Sequence, residues 1–265
     1  MHPDRHPESS GESPRSDLLS APLRSEPSPS AQDGEKRDSA HSLEGRYVKS
    51  APPQIVESPQ GLELVAEGMT VRGDLTRLLP RLKPGRLQRE LLVRAARIKD
   101  PRSPERPTAV DATAGLGEDS LLLAAAGFDV LLFERNETIA ALLMDSLQRA
   151  ADTPELAGIV GRMHTVQVDS TQALGNLDFL PDVILLDPMF PAKHKDAAAK
   201  KKLQLLQQLE QPCEDEAALL DAALSARPLK IVIKRPVKGP FLAGRKPDYS
   251  LSGKAIRYDC FALPR

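Results

Sequence analysis

Cysteine is nearly absent from this chain. The two present, Cys213 and Cys260, lie far apart in sequence. That excludes a disulfide framework and any closely spaced thiolate metal site, and it suits reduced thiols in a cytosolic protein. Net charge is also missing: 36 Lys and Arg stand against 37 Asp and Glu, a formal balance of -1. No global basic field announces a nucleic acid. No apolar run approaches the length that spans a bilayer, and the first forty residues hold no signal-peptide core, so a soluble, cytoplasmic chain without a membrane partner is expected. Internal low-complexity repeats are absent, and no metal is expected.

At 265 residues the chain has material for one or two domains. Residues 1–45 are rich in Pro, Ser, Glu, Arg and Asp, with Leu18, Leu19 and Leu23 almost alone among large aliphatics. Such a segment buries too little apolar surface to offset its ordering entropy, and a disordered tail is expected. Residues 46–107 read as a small β/α region. Strands are expected at Gln54–Val56, Leu62–Val65 and Met69–Arg72, then a helix over Leu87–Ile98 with Leu91, Leu92, Ala95 and Ile98 on one face. This stretch is locally basic, with Arg72, Arg77, Arg81, Lys83, Arg86, Arg89, Arg94, Arg97 and Lys99 against Asp74 and Glu90. Such a run is either a solvated face or a phosphate-binding patch. The proline-rich linker Asp100–Pro107 ends the region.

The main domain, 108–265, is organised around Thr108-Ala-Val-Asp-Ala-Thr-Ala-Gly-Leu-Gly-Glu-Asp119. A short apolar run ends in Asp111, a loop of small residues carries Gly115 and Gly117, and a helix pattern follows, stopped at Gly127. Glycine is needed where the backbone must turn tightly and approach a ligand. The third glycine of a dinucleotide fingerprint is lacking, since Ser120 stands there, and the acid precedes the glycines. An anion so placed suits a cationic amine better than a pyrophosphate.

Strand and helix patterns then alternate. Strands are expected at Asp129–Phe133, Met163–Val168, Val183–Leu186 and Lys230–Lys234, with a closing strand at Ala255–Leu263. Helices are expected from an Asn136 cap to about Ala151, over Ala197–Leu209 and over Glu214–Ala226. The fold class is therefore α/β: a mostly parallel sheet with helices on both faces and a small N-terminal β/α extension. In such sheets the chemistry sits at the carboxyl ends of the strands. Here they end in Asp111, Glu134, Asp169 and Asp187. Glu134, about twenty residues past the glycines, is placed to accept both hydroxyls of a ribose, and Asp169 with Ser170 to meet an adenine edge.

The most specific motif is Asp187-Pro188-Met189-Phe190-Pro191. An aryl amine is a poor nucleophile because its lone pair is delocalised into the ring. The Asp187 carboxylate and the Pro188 carbonyl can accept its hydrogens and aim what remains, while Phe190 stacks on the base. Restricted φ at the prolines holds that geometry.

These residues resemble a known family. Asp111 to Gly117 with Asp119, then Glu134-Arg135-Asn136, the Asp187 motif, Val232-Ile-Lys-Arg-Pro236 and Gly253-Lys-Ala-Ile-Arg-Tyr-Asp259 are similar to the RsmJ-type class I S-adenosylmethionine-dependent methyltransferases. The likeness runs from about Gly61 to the C-terminus. It implies a Rossmann-like fold, S-adenosylmethionine as cofactor, and methyl transfer to the exocyclic N2 amine of a guanine in small-subunit (16S) ribosomal RNA. It further implies cofactor contacts at Glu118, Asp119, Glu134, Arg135, Asp169, Ser170 and Asp187, beside the glycine loop with Asp111, Gly115 and Gly117. Glu118 and Asp169 depart from the family pattern, where a basic residue and a serine are usual. Arg86, Arg89, Lys193, Lys195, Lys234 and Arg235 are expected to contact the RNA. His194, between two lysines, is expected to be a bystander. A methyltransferase acting on DNA adenine or a protein amide, and a non-catalytic RNA-binding assembly factor, are the alternatives.

Overall fold

The computed structural model describes residues 52–66, 68–188 and 215–265. Phe190, Lys193, His194, Lys195, Cys213, the tail at 1–45 and the helix expected at 197–209 lie outside them. All the described residues fall within one unit, Val48–Arg265.

Strands β1 (Gln54–Ser58), β2 (Gly61–Ala66) and β3 (Met69–Val71) form an antiparallel sheet of their own. Gly61, at φ +113°, makes the turn between the first two. Leu64, Ala66 and Val71 are buried against Leu142, with Leu116 packed beside them. The chain then runs through two single-turn helices, α1 (Leu79–Leu82) and α2 (Pro84–Leu87), to α3 (Leu91–Ala96). The single helix expected over Leu87–Ile98 is therefore broken. Glu90 is extended (φ −58°, ψ 130°) and its carboxylate takes a two-pronged bond from Arg81, at 2.9 and 2.8 Å. That nonlocal pair is invisible to helical periodicity.

The main sheet follows: β4 (Thr108–Asp111), α4 (Glu118–Ala125), β5 (Asp129–Glu134), α5 (Glu137–Ala151), α6 (Pro154–Val160), β6 (Met163–Gln167), α7 (Ser170–Ala173), β7 (Val183–Leu186), α8 (Glu216–Ser225), β8 (Lys230–Pro236), β9 (Tyr249–Ser252) and β10 (Ile256–Ala262). Seven strands lie in the order β6-β5-β4-β7-β8-β10-β9. β6 to β8 are parallel, and β10 runs antiparallel between β8 and β9. The order reverses at β4 and β7, which opens a crevice above their carboxyl ends.

Both faces of this sheet are covered, and the strand sequences show it. On β7 every residue from Val183 to Leu186 is fully buried. Val183 and Leu185 join Ala109, Val232 and Leu121 in one core, while Ile184 and Leu186 join Val110, Ile231, Ile233 and Leu220 in the other. That is the continuous apolar strand of a sheet sandwiched between helices. Helix ends follow local rules. Asn136 caps α5 by accepting from the Ile139 N–H at 3.1 Å, and Gly127, at φ +105°, ends the α4 turn. At the far end of β7, buried Asp182 accepts from the backbone of Arg102 and Thr108, both at 2.7 Å, and pins the proline-rich linker to the sheet.

Candidate active site

The loop between β4 and α4 is built by its acid. Asp111 is buried; it accepts from the Thr113 N–H at 3.2 Å and from the Ser120 hydroxyl, so its side chain spans the loop from both ends. Burial pushes its carboxyl up to about 7, the Ser120 bond pulling the other way and the Asp119 charge adding to the rise. The expectation that Asp111 faces a ligand amine directly meets this placement beneath the loop, where both oxygens already hold the turn.

Gly115 (φ +54°) and Gly117 (φ +77°) both use left-handed backbone. A Cβ on Gly117 would stand 2.7 Å from Leu143 Cδ1, whereas one on Gly115 would meet open space. The first glycine is thus kept by the loop's path alone, the second by path and packing. α4 starts at Glu118 with no side-chain cap on its first turn. Glu118 is exposed, and Asp119 points into the crevice.

Glu134, at the end of β5, is buried and accepts from the Gly115 N–H at 3.0 Å and the Asn136 N–H at 2.8 Å, one through each oxygen. Burial raises its pKa against these bonds and the nearby charge of exposed Arg135. The Arg135 N–H also bonds to the Glu134 carboxylate, and since a carboxylate offers about four lone-pair sites, some acceptor capacity remains. Asp169 caps α7, accepting through Oδ1 from the Thr171 N–H at 2.8 Å and hydroxyl at 2.6 Å, and Ser170 beneath it is buried.

Asp187 ends β7 across the crevice. Its N–H donates to Thr113 Oγ1 at 2.7 Å, tying the Asp187-Pro188 turn to the glycine loop. Its Oδ2 lies 2.8 Å from Lys234 Nζ, and the same ammonium lies 2.7 Å from Asp119 Oδ2. Burial raises the Asp187 pKa; Lys234 opposes that and Asp119 reinforces it. Tyr258 pairs in register with Lys234, is buried, and has its phenol pKa raised by that burial, with the Asp119 and Asp187 charges adding to it.

Lys234 and Arg235, both expected on the RNA, take opposite faces of β8 as strand alternation demands. Lys234 is ion-paired inside the crevice. Arg235 is 1% exposed, donates through Nε to the Pro240 carbonyl at 2.9 Å and pairs with Glu216 at 3.2 Å, so it holds α8 and the loop after β8 and is withdrawn from any surface. Arg86, Arg89 and Arg97 are exposed. The Arg97 carbonyl accepts from Lys230, the first residue of β8, which puts Arg97 at the end of the sheet away from the crevice. Sequence reading missed Thr113, Ser120 and Tyr258, whose roles depend on contacts between distant strands.

Comparison with known proteins agrees with this architecture. Residues 61–263 match the model of the SAM-dependent methyltransferase family, SAM_MT. Ribosomal RNA small subunit methyltransferase J of Thioalkalivibrio sulfidiphilus is 44% identical over 177 residues, 66% of this chain and 68% of that protein. The protein of the same name from Nitrosococcus oceani is 41% identical over 184 residues, 68% of this chain and 71% of its own. A crystal structure of a SAM-dependent methyltransferase from Neisseria gonorrhoeae superposes with a TM-score of 0.63 at 29% identity, covering 80% of this chain and 83% of that one. The chain belongs to the SAM-dependent methyltransferase family, among the ribosomal RNA small subunit methyltransferases J.

Proposed function

We propose that the protein methylates the exocyclic N2 amine of a guanine in small-subunit ribosomal RNA. The observation that carries this reading is the tie between the two loops: Asp187 is bonded through its backbone to Thr113 and through Lys234 to Asp119. The site for a methyl donor and the site for an amine thereby share one rigid frame.

The described residues fit S-adenosylmethionine. A Cβ added at Gly115 would stand in open space, Glu134 keeps acceptor capacity for a ribose hydroxyl, and α4 begins without a side-chain cap. Asp169 Oδ2, with no partner among the described residues, suits an adenine amine. When bound, the cofactor supplies an electrophilic methyl on a sulfonium sulfur. The protein's part is to place the amine. Asp187 Oδ2 is held by Lys234, so Oδ1 is left to accept one N2–H, and the Pro188 carbonyl accepts the other. The nitrogen lone pair is then aimed along the line of attack. The methyl would pass from the sulfonium to that nitrogen, the electron pair of the broken carbon–sulfur bond staying on sulfur, and Asp187 or water would take the N2 proton released.

The RNA would lie along the edge carrying Arg86 and Arg89. A Cβ on Gly253 would touch Leu91, so the β9–β10 turn packs on the start of α3 and adds exposed Lys254 to that edge. Lys193 and Lys195, just past the Asp187 loop, remain proposed contacts. A ribosomal RNA substrate would put the protein in the cytoplasm. The test is a mass map of modified nucleosides in ribosomal RNA from cells lacking the protein. Loss of one N2-methylguanosine is expected; an unchanged map, or loss of a methyladenosine, would overturn the assignment.

A further inference from the structure

Lys234 is oddly placed for an RNA contact. Its side chain is 26% exposed, and the ammonium sits 2.7 Å from Asp119 Oδ2 and 2.8 Å from Asp187 Oδ2. One carboxylate belongs to the first turn of the helix behind the glycine loop, the other to the turn that faces the substrate. A cation committed to two carboxylates has little charge left for a phosphate. We propose that Lys234 is a positioning residue: it clamps Asp187 to Asp119 so that the substrate-facing carboxylate stays ionised, with only Oδ1 directed at the incoming amine.

This rests on the guanine-methylation reading above. A neutral Asp187 could present its hydroxyl and donate, and a donor facing the N2–H repels the amine it must hold. The charges around Asp187 decide which form prevails. From β8 it faces Lys234, with Arg235 acting more weakly from the other face; from α4 it faces Asp119, and from β4, Asp111. From β10 it faces Tyr258, which in turn feels Arg81 of α1. Burial and the neighbouring acids disfavour the charge, and Lys234 is the largest opposing influence. The lysine's own pKa is raised by the same two acids, so it stays protonated across the working range.

The clamp predicts shifts of opposite sign. In single-turnover methyl transfer to small-subunit RNA, Lys234→Met should lower the rate at neutral pH at least tenfold. It should also move the acid limb of the pH–rate profile upward by about one pH unit or more, since the opposing charge is gone. Lys234→Arg, which keeps the charge, should recover part of the rate and leave the limb near its original place. Asp119→Asn removes a like charge and should move the limb down. The salt slope of RNA binding by Lys234→Met should equal wild type. If Lys234→Met keeps the wild-type acid limb, or loses about one unit of RNA salt slope, the clamp is wrong and the lysine is a structural or phosphate contact. If Lys234→Met lowers the melting temperature sharply, the Lys234→Arg and Asp119→Asn pair carries the same decision. No transfer by the wild type would instead sink the guanine reading itself.

Discussion

Glu134 shows how much of the site is written in single residues. Its position after an apolar strand, about twenty residues past the glycines, marks it as a candidate, and the structure places it against the glycine loop. Its carboxylate accepts backbone N–H groups from the glycine loop and from the residues after β5, and the residue is 5% exposed. Glu134→Ala should weaken S-adenosylmethionine binding by about 1.5–3 kcal/mol, the worth of charge-assisted hydrogen bonds, as calorimetry would read. Unaltered affinity would remove Glu134 from the cofactor site. Asp111 is a different case: legible as an acid before the glycines, yet the structure uses it to brace the loop. With its pKa raised from an ordinary aspartate value to about 7, the folded form favours the neutral acid. The stability it contributes is full below about pH 4 and is lost as pH rises through about 7. Asp111→Asn should therefore gain in melting temperature relative to wild type as pH is raised from 4 to 7. A constant difference over that range would show that Asp111 does not titrate there. Lys234 was legible as a basic strand-end residue but not as an ion-paired one, because its partners come from α4 and β7, remote in sequence.

Elements were legible where the signal is local. Within the main sheet β4, β5, β7 and β8 announce themselves as apolar runs, and α5 by its Asn136 cap and amphipathic face. Short pieces were not: α6, α7 and β9 were missed, and α3 is shorter than its periodicity suggests because Glu90 leaves the helix to meet Arg81. The N-terminal sheet was visible as three strands, but nothing local says what it packs on. It buries Leu64, Ala66 and Val71 on Leu142 of α5, with Leu116 of the glycine loop alongside. The sheet thus buttresses the glycine loop from behind. Leu64→Ala, at a fully buried site, should cost about 2–5 kcal/mol in denaturant unfolding. It should also weaken cofactor binding more than Leu220→Ala, which empties the opposite core. Equal cofactor affinity in the two variants would show that the sheet gives the loop no support.

At the scale of the whole molecule, near-neutral net charge hides a local field. The basic residues read from the sequence divide in three dimensions: Arg86 and Arg89 are exposed, Arg97 stands at the end of the sheet away from the crevice, and Arg235 is buried. Spacing along a chain cannot make that division, since it depends on which way α3 crosses the sheet. A double Arg86→Ala, Arg89→Ala variant should bind RNA with a salt slope shallower by roughly one to two units and with cofactor affinity unchanged. A wild-type slope would make these charges a solvated face. Residues 1–45, poor in large apolar side chains, should be dispensable, so a chain beginning at Tyr47 should keep its melting temperature and its transfer rate. The most direct measurement is methyl transfer by the purified protein from labelled S-adenosylmethionine, with small-subunit ribosomal RNA, DNA and protein as separate acceptors and the labelled product identified. N2-methylguanosine from the RNA alone is predicted, abolished by Asp187→Ala while RNA affinity is kept. Label in methyladenine or in protein, or full transfer by Asp187→Ala, would contradict the account.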